Sequence, residues 1–419
     1  MSLSFLNGLR VLESSAFVAA PLAGLTLSQF GAEVIRIDMI GGGMDYGRLP
    51  LAPSGRSLYW TGLNKGKRSV AVNIRRPEGR ELVRSLATAP GENGGVLLTN
   101  IATHWLSHES LIQLRSDLVS CLIQGNADGS TALDYTVNCT TGYPAITGGG
   151  SLEAPVNHVA PAWDMACAYQ AAFAILAAVT RRRQTGEGAE LKLALADVAF
   201  TALSHLGITT EAEVLGAERP SLGNYLYGAF GRDFGTADAK RVMVAAISIS
   251  QWRSLVAACE VGQQIAALEA ALRRDFANED ERYEAREDIA RVFEPWFARH
   301  SLAEIAPVFE QHGVCWGQYR TVRDLVANDP RVSLANPVFE RMDTPGVGPH
   351  LAAGSPVRVM GEARSSGIAA PLLGQHTDEV LSEVLGLGPA EIGRLHDKSI
   401  IAGPDRDPTV YVRKPENVS

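Results

Sequence analysis

Cysteine is scarce in this chain, and its spacing is irregular. Five cysteines occur among 419 residues, an odd number, and no two of them form a CxxC pair. Such a set argues against a disulfide framework and against structural zinc. The nine histidines show no HExxH or comparable spacing, so we expect no bound metal. Scattered, reduced cysteines are typical of the cytoplasm, which is the location we expect.

Long hydrophobic runs and an excess of positive charge are also missing. The longest nearly apolar run, residues 166–179, is too short to cross a bilayer and is interpreted as a buried helix. The N-terminus lacks a basic segment followed by an apolar one and a cleavage site, so secretion is not expected. The net charge of −8 argues against nucleic-acid binding. We therefore expect neither a membrane nor a nucleic acid as a partner.

The sequence does contain an alternation of strand and helix patterns. Strand patterns occur at 9–12, 33–38, 69–74, 95–99 and 190–195. Helical patterns lie between them at 21–30 and 77–87, the second opening with a proline. This alternation predicts an α/β fold whose large domain is a doubly wound, Rossmann-like parallel sheet.

The character of the chain changes near Asn224. Residues 1–224 carry the α/β pattern, whereas 225–325 open with an aromatic, glycine-rich segment and continue as one strand and a polar helical stretch. We expect 225–325 to form a smaller α+β domain. Residues 326–403 are expected to return to the large domain. The polar tail 404–419 is expected to be disordered.

One acid, Asp164, stands immediately before the apolar run that ends in a Thr-Gly-Glu-Gly turn. An acid at the start of a helix often caps it, because its oxygens accept hydrogen bonds from free backbone N–H groups. The same position also suits an ionised carboxylate that acts as a nucleophile. Position alone leaves both interpretations open. Cys167, on the same helical face, is interpreted as a small core residue.

Three basic clusters stand out against the acidic background: 65–68, 75–76 and 181–183. The arginine triplet 181–183 follows a helix, where cations complement the helix dipole. The other two clusters flank a predicted strand. They are better placed to meet a phosphorylated ligand.

Six segments, in order along the chain, resemble the family III CoA-transferases. They are 8–38 taken as one signature, 43–48, 64–69, 97–100, 185–188 and 373–381. The resemblance covers nearly the whole chain, from about residue 8 to 403. It implies an acyl-CoA substrate, with coenzyme A entering as part of that substrate and no tightly bound cofactor. It also implies a homodimer of two interlocked chains.

The resemblance implies a covalent mechanism in which Asp164 is the catalytic aspartate. Its carboxylate attacks an acyl-CoA thioester to give a mixed anhydride, and the CoA thiolate then forms an aspartyl thioester. The resemblance places Arg75, Asn100, Lys67 and Arg36 near the CoA nucleotide.

Further candidate residues would contact the oxyanions that form during the reaction and the free carboxylate of the substrate. Backbone N–H groups of a glycine loop suit developing oxyanions, and Gly228 and Gly231 are the candidates. The free carboxylate of a diacid needs a polar partner. The candidates for that partner are Arg48, His158, Asn224, Tyr225 and Arg232.

The chain departs from the family in two places near the active site. Ala20-Pro21 stands where Gly-Pro is usual, and 124–130 replaces a glycine-rich loop. Substrate handling is therefore expected to be atypical. A racemase branch uses a His-Asp dipeptide, but this chain has Leu133-Asp134, and leucine cannot accept a proton. We expect Asp134 to have a structural role, bonding the adjoining loop.

Segments 15–21, 41–46, 156–159 and 223–234 resemble a transferase branch that moves CoA between the two carboxyl groups of one unsaturated diacid. A diacid monothioester carries its own acceptor, so a pocket that retains it favours transfer within one molecule. Two alternatives stay open. One is transfer between molecules, for example from succinyl-CoA to an external acid. The other is a CoA-binding protein without catalysis, against which the intact Asp164 argues.

Overall fold

The computed structural model describes residues 3–148, 152–216, 218–362 and 364–410. The strands are β1 Arg10–Ser14, β2 Glu33–Asp38, β3 Arg68–Val72, β4 Val96–Thr99, β5 Val119–Gln124, β6 Ala189–Ala194, β7 Phe230–Gly235, β8 Arg241–Ala246, β9 Cys315–Gln318, β10 Phe339–Thr344, β11 Gly348–Ala353 and β12 Ile401–Ala402. The helices are α1 Ala19–Gln29, α2 Leu58–Leu63, α3 Pro77–Thr88, α4 His108–Leu111, α5 Asp134–Thr140, α6 Tyr143–Thr147, α7 Ala162–Thr185, α8 Leu195–His205, α9 Ile208–Leu215, α10 Ile249–Ala258, α11 Gly262–Leu272, α12 Glu279–Glu284, α13 Arg286–Arg299, α14 Leu302–His312, α15 Val322–Asn328, α16 Thr377–Leu385 and α17 Pro389–Asp397.

A seven-stranded sheet organises the larger unit, which comprises Met1–Thr141, His158–Glu213 and Pro330–Ser419. Its order is β12-β3-β2-β1-β4-β5-β6; β1 to β6 are parallel, and β12 is antiparallel to β3. The predicted α/β fold with a parallel sheet is confirmed. The strand order reverses at β1, between β2 and β4. In open parallel sheets, ligands bind beyond the carboxyl ends of the strands at such a reversal.

Helices cover both faces of this sheet, because alternate side chains of a strand point to opposite sides. Leu12 and Ile35 pack on one face with Val83 of α3 and Val380 of α16. Glu13, the neighbour of Leu12, faces the other side, against α1. A Cβ at Gly24 of α1 would overlap the Glu13 carboxylate, so α1 approaches the sheet closely only with glycine there.

Helix α7 has 24 residues. The prediction that this stretch is too short to cross a bilayer is therefore wrong. By length and composition it is the one described helix that could cross a membrane. Core helices of folded domains pass the same test, and α7 buries nine residues, among them Cys167, Ala171 and Ile175. Its main neighbours are α1 and β5, so α7 is a core helix of the larger unit.

The second unit comprises Gly142–Asn157 and Val214–Asp329 and contains the antiparallel sheet β7-β8-β9. Its core is aromatic; Phe234 stacks on Phe297 with ring centroids 4.3 Å apart. The unit begins earlier than the expected residue 225 and takes in 142–157. The Leu222 N–H donates to the Ile146 carbonyl at 3.0 Å, a long-range bond that no local pattern reveals.

The chain returns to the larger unit at Pro330, through a hairpin of β10 and β11 that the sequence patterns did not predict. The prediction of a disordered tail from 404 is wrong in its first part. Asp407 is fully buried and accepts hydrogen bonds from Tyr46 Oη at 2.6 Å and the Leu373 N–H at 2.8 Å. These long-range bonds anchor the segment up to Val410. Residues 411–419 lie outside the described residues.

Candidate active site

The amino end of α7 is capped by Asp134, the first residue of α5. Asp134 Oδ2 accepts hydrogen bonds from the backbone N–H of Trp163 at 2.7 Å and of Asp164 at 3.0 Å. Its Oδ1 lies 2.7 Å from His158 Nε2. The prediction that Asp134 is structural is confirmed. The interpretation of Asp164 as the cap is wrong, because a carboxylate from another helix already binds these N–H groups.

Asp164 is the third residue of α7, and its side chain is half-buried. Among the described residues, none donates a hydrogen bond to it. Burial raises the pKa of Asp164 to about 7; the nearby Asp134 charge adds to this, and Arg48 opposes it. A carboxylate with unoccupied lone pairs that titrates near neutral pH suits a nucleophile.

Arg48 lies near Asp164, and two aromatic rings lie beside Arg48. The guanidinium carbon of Arg48 is 5.6 Å from the ring centroid of Phe17 and 5.2 Å from that of Tyr59. Arg48 is exposed, and the ion pairs among the described residues do not include it. Burial raises the pKa of Tyr59 to about 12, so this phenol stays protonated at neutral pH. A free guanidinium beside a nucleophilic carboxylate can hold a second, substrate carboxylate.

The loop after β1 lies at the reversal of the sheet and is held by side chains. Asn100, which follows β4, donates to the Ala16 carbonyl at 2.7 Å and accepts from its N–H at 2.9 Å. Asp45 accepts from the Phe17 N–H at 3.1 Å. Phe17 has φ +64°, a conformation that a non-glycine residue adopts at a cost. Asn100 therefore shapes the position where this fold binds ligands.

Arg36 and Lys67 lie in the interior. Arg36 pairs with Glu13 at 2.9 Å, Asp38 at 2.9 Å and Asp45 at 3.3 Å. Lys67 pairs with Glu13 at 2.8 Å. Burial opposes the Arg36 charge, but the surrounding carboxylates outweigh it and raise the pKa of Arg36. This buried network explains both cations without CoA, and their contact with CoA stays a prediction.

Arg75 lies in the exposed turn after β3, where its N–H donates to Asn73 Oδ1 at 3.2 Å. This turn is beyond the carboxyl end of a parallel strand, the edge where ligands bind. Its predicted role as a phosphate ligand stays a prediction.

Gly228, Gly231 and three of the polar residues expected around the substrate, Asn224, Tyr225 and Arg232, belong to the second unit. A Cβ at Gly231 would overlap the Leu226 side chain, so packing explains this glycine. Gly228 has φ +76° and open space around it. Tyr225 Oη accepts from Arg232 at 2.9 Å, and Asn224 bonds the side chain of Asp233. The roles of Gly228, Gly231, Tyr225 and Asn224 at the substrate stay predictions.

Within the described ranges, no group of three or more His, Cys, Asp or Glu is arranged to hold a metal ion.

Cys167 is fully buried, and burial raises its pKa to about 12. Such a thiol does not ionise near neutral pH. The prediction that Cys167 is a core residue is confirmed.

The sequence patterns missed two features of this site. Tyr59 sits on the short helix α2, which no apolar period marks, and only its contact with Arg48 draws attention to it. The cap that Asp134 provides joins residues 30 positions apart. The unusual Leu133-Asp134 dipeptide was the one local sign of it.

Several known proteins are similar to this chain. The family described as "CoA-transferase family III" matches residues 6–377. The 2-methylfumaryl-CoA isomerase of Chloroflexus aurantiacus is 50% identical over 96% of this chain and 98% of its own length. The human succinyl-CoA:glutarate CoA-transferase is 25% identical over 94% of this chain and 90% of its own length.

The solved structures show the same fold. A crystal structure of a CAIB/BAIF family protein from Brucella suis superposes with a TM-score of 0.73 at 22% identity, covering 92% of this chain and all of that one. The family match spans most of the chain, including the segment that ends β4 and the start of α7. The chain is therefore a member of CoA-transferase family III.

Proposed function

We propose that this enzyme is a 2-methylfumaryl-CoA isomerase, which moves CoA from the C1 to the C4 carboxyl group of mesaconate to give 3-methylfumaryl-CoA. The observation that carries the proposal is the 50% identity over 96% of the chain to the Chloroflexus isomerase. This reaction would belong to carbon fixation by the 3-hydroxypropionate bicycle. Coenzyme A enters as part of the substrate, and the reaction needs no other cofactor.

Asp164 is the nucleophile in this proposal. Its carboxylate attacks the C1 thioester carbonyl, and the C–S bond breaks to give a mixed anhydride and CoA thiolate. The thiolate attacks the aspartyl carbonyl, which releases the C1 carboxylate and leaves an aspartyl-CoA thioester. The C4 carboxylate then attacks that thioester, and the thiolate expelled attacks the C4 carbonyl to regenerate Asp164. No water enters, because hydrolysis would destroy the acyl activation.

Arg48 holds the free carboxylate of the bound diacid. It lies close enough to Asp164 to lower the pKa of that residue, and it is not engaged in an ion pair among the described residues. Phe17 and Tyr59 hold the guanidinium in place and exclude water from one side. When CoA has moved to Asp164, the diacid can turn its other carboxylate to the thioester without leaving the pocket.

Coenzyme A lies at the reversal of the sheet, beyond the carboxyl ends of β1 and β4. The loop that Asn100 holds forms the floor of this position, and Arg75 contacts the phosphates. Gly228 stays the candidate for a backbone N–H donor to the developing oxyanions.

The enzyme forms an interlocked homodimer in the cytoplasm. Met165, Tyr169 and Phe173 follow one another at four-residue spacing on α7 and are 40%, 52% and 69% exposed. An apolar stripe of this size on a core helix favours burial against another chain. The free cysteines of the described chain suit a reducing compartment.

The covalent step is tested by trapping. Hydroxylamine converts an aspartyl thioester or anhydride into a hydroxamate, which changes the mass of the peptide that carries it. We expect this change on the peptide containing Asp164 only when 2-methylfumaryl-CoA is present, and not in Asp164→Ala. Substrate-dependent modification at another acid, or turnover by Asp164→Ala, would contradict the proposal.

A further inference from the structure

We propose that the His158–Asp134 pair is a positioning device that sets the proton affinity of Asp164. The inference rests on the proposed role of Asp164 as the nucleophile. Asp134 and His158 do not themselves touch the reacting atoms in this account. They act through the first turn of α7, which carries Asp164.

Two side chains of helix α5 form hydrogen bonds with the start of α7. Asp134 binds the N–H groups of Trp163 and Asp164, and Asn138, one turn later on the same face of α5, accepts from Trp163 Nε1 at 3.0 Å. Asp134 and Asn138 are 2% and 3% exposed, so the two accepting side chains are shielded from water. These hydrogen bonds fix the backbone of the residue that carries the Asp164 carboxylate.

The same cap places a negative charge next to the nucleophile. An ionised Asp134 opposes the ionisation of Asp164, because two nearby carboxylates repel one another. An ionised carboxylate only accepts hydrogen bonds, so His158 Nε2 carries the proton in the 2.7 Å contact with Asp134 Oδ1. By donating to Asp134, His158 offsets part of the charge that Asp164 feels.

The position of His158 is itself fixed. Its ring lies 6.1 Å from the Tyr135 ring and 6.4 Å from the Trp163 ring, between centroids. The two rings come from α5 and α7, the helices that the pair connects. The other titratable or charged groups that act on Asp164 or share its surroundings are Arg48, Tyr59, Tyr135 and Cys167. Of these, Arg48 favours the ionised form of Asp164, opposite to Asp134.

Two substitutions are expected to act in opposite directions. Asp134→Asn keeps an acceptor for the helix N–H groups but removes the charge, so the acid limb of the kcat/KM–pH profile moves to lower pH. His158→Asn weakens the donor to Asp134, so the acid limb moves to higher pH. We expect shifts of roughly half to one pH unit each. A role limited to holding the fold would lower kcat without moving the limb.

The chain provides a matched control. His396 Nε2 lies 2.7 Å from Asp378 Oδ1, the same distance between the same atom types as in the His158–Asp134 pair. This second contact is exposed to solvent and connects α16 and α17. His396→Asn is expected to leave the acid limb unchanged. If Asp134→Asn does not fold, the shift of the acid limb in His158→Asn tests the inference by itself, and an unmoved limb in that variant overturns it.

The titration of Asp164 itself separates this inference from the proposed function. Carbon-13 NMR of aspartate-labelled protein, with Asp164→Asn to assign the signal, reports its pKa without turnover. Opposite shifts in the two variants support the inference even if wild-type protein shows no isomerase activity. Unchanged titration of Asp164 in the variants overturns it, even if the wild type isomerises the substrate.

Discussion

At the scale of the residue, Asp164 is subject to opposing influences. Burial and Asp134 favour its protonated form, whereas Arg48 favours the carboxylate, and the resulting pKa of about 7 lies well above that of an ordinary aspartate. The Asp164 carboxylate is consequently more basic than that of an ordinary aspartate, and a more basic carboxylate is a better nucleophile. Near neutral pH about half of the protein molecules carry Asp164 in its ionised form. Ionisation in this position is costly for the folded chain.

That cost predicts a gain in stability when the charge is removed. Folded protein binds the Asp164 proton more tightly than the unfolded chain, so this residue's contribution to stability falls as pH rises from the unfolded value of about 3.9 to the folded value of about 7. We expect Asp164→Asn to raise the free energy of unfolding by about 1–2 kcal/mol at pH 8 and by less at pH 5. Denaturant unfolding at the two pH values measures this. A gain that is equal at both, or a loss at pH 8, would contradict the raised pKa.

Arg48 provides a second prediction at this scale. We expect Arg48→Met to lower kcat/KM for 2-methylfumaryl-CoA by about 100-fold or more, since a charge-assisted bond to the free carboxylate is lost. Binding of free coenzyme A, measured by calorimetry, should change little. Arg323→Met, an exposed arginine on α15, is the matched control and should keep full activity. Equal loss of CoA binding and turnover in Arg48→Met would place Arg48 at the nucleotide instead.

At the scale of the element, the loop after β1 depends on a strand that is distant in sequence. Asn100 binds both backbone polar groups of Ala16, and the neighbouring Phe17 keeps a costly positive φ. Asn100→Ala is expected to lower the free energy of unfolding by about 1–2 kcal/mol, because the partly buried backbone groups of Ala16 lose their partner. We also expect CoA affinity to fall by about tenfold as the loop relaxes.

The two effects in Asn100→Ala are measured separately, by denaturant unfolding and by calorimetric titration with CoA. Asn328→Ala removes an exposed bond to Asp324 on α15 and should change neither quantity. Lower stability with unchanged CoA affinity would show that Asn100 has only a structural role.

Elements that carry their own pattern were predictable from the sequence. The strand at 33–38 was predicted with the bounds the structure gives it, since its side chains alternate with the period of a strand. The candidate site was predictable only in part. Asp164 could be named because it precedes a long apolar run and matches the family's motif, but its cap comes from α5. The interior position of Arg36 and Lys67 depends on carboxylates from two other segments, Glu13 and Asp45. Contacts of this kind have no local period and appear only in the folded chain.

At the scale of the whole molecule, the exposed apolar stripe of α7 predicts a stable dimer. We expect wild-type protein to stay dimeric on dilution to nanomolar concentration, because interlocked chains separate only on unfolding. Phe173→Glu, at the most exposed position of that stripe, should yield monomer or aggregate in light scattering. Val322→Glu introduces the same charge at another exposed apolar position, on α15, and should remain dimeric. A wild-type monomer at micromolar concentration would contradict the proposed assembly.

The most direct test of the proposed function is a labelling experiment on the intact enzyme. Purified protein is incubated with 2-methylfumaryl-CoA and an excess of carbon-13-labelled free 2-methylfumarate, and the C4 isomer is followed by liquid chromatography and mass spectrometry. We predict rapid formation of 3-methylfumaryl-CoA that contains no label, because the diacid stays in the pocket while CoA resides on Asp164. Entry of label into the product would show that the diacid escapes and that CoA is transferred between molecules. Absence of conversion would contradict the substrate itself.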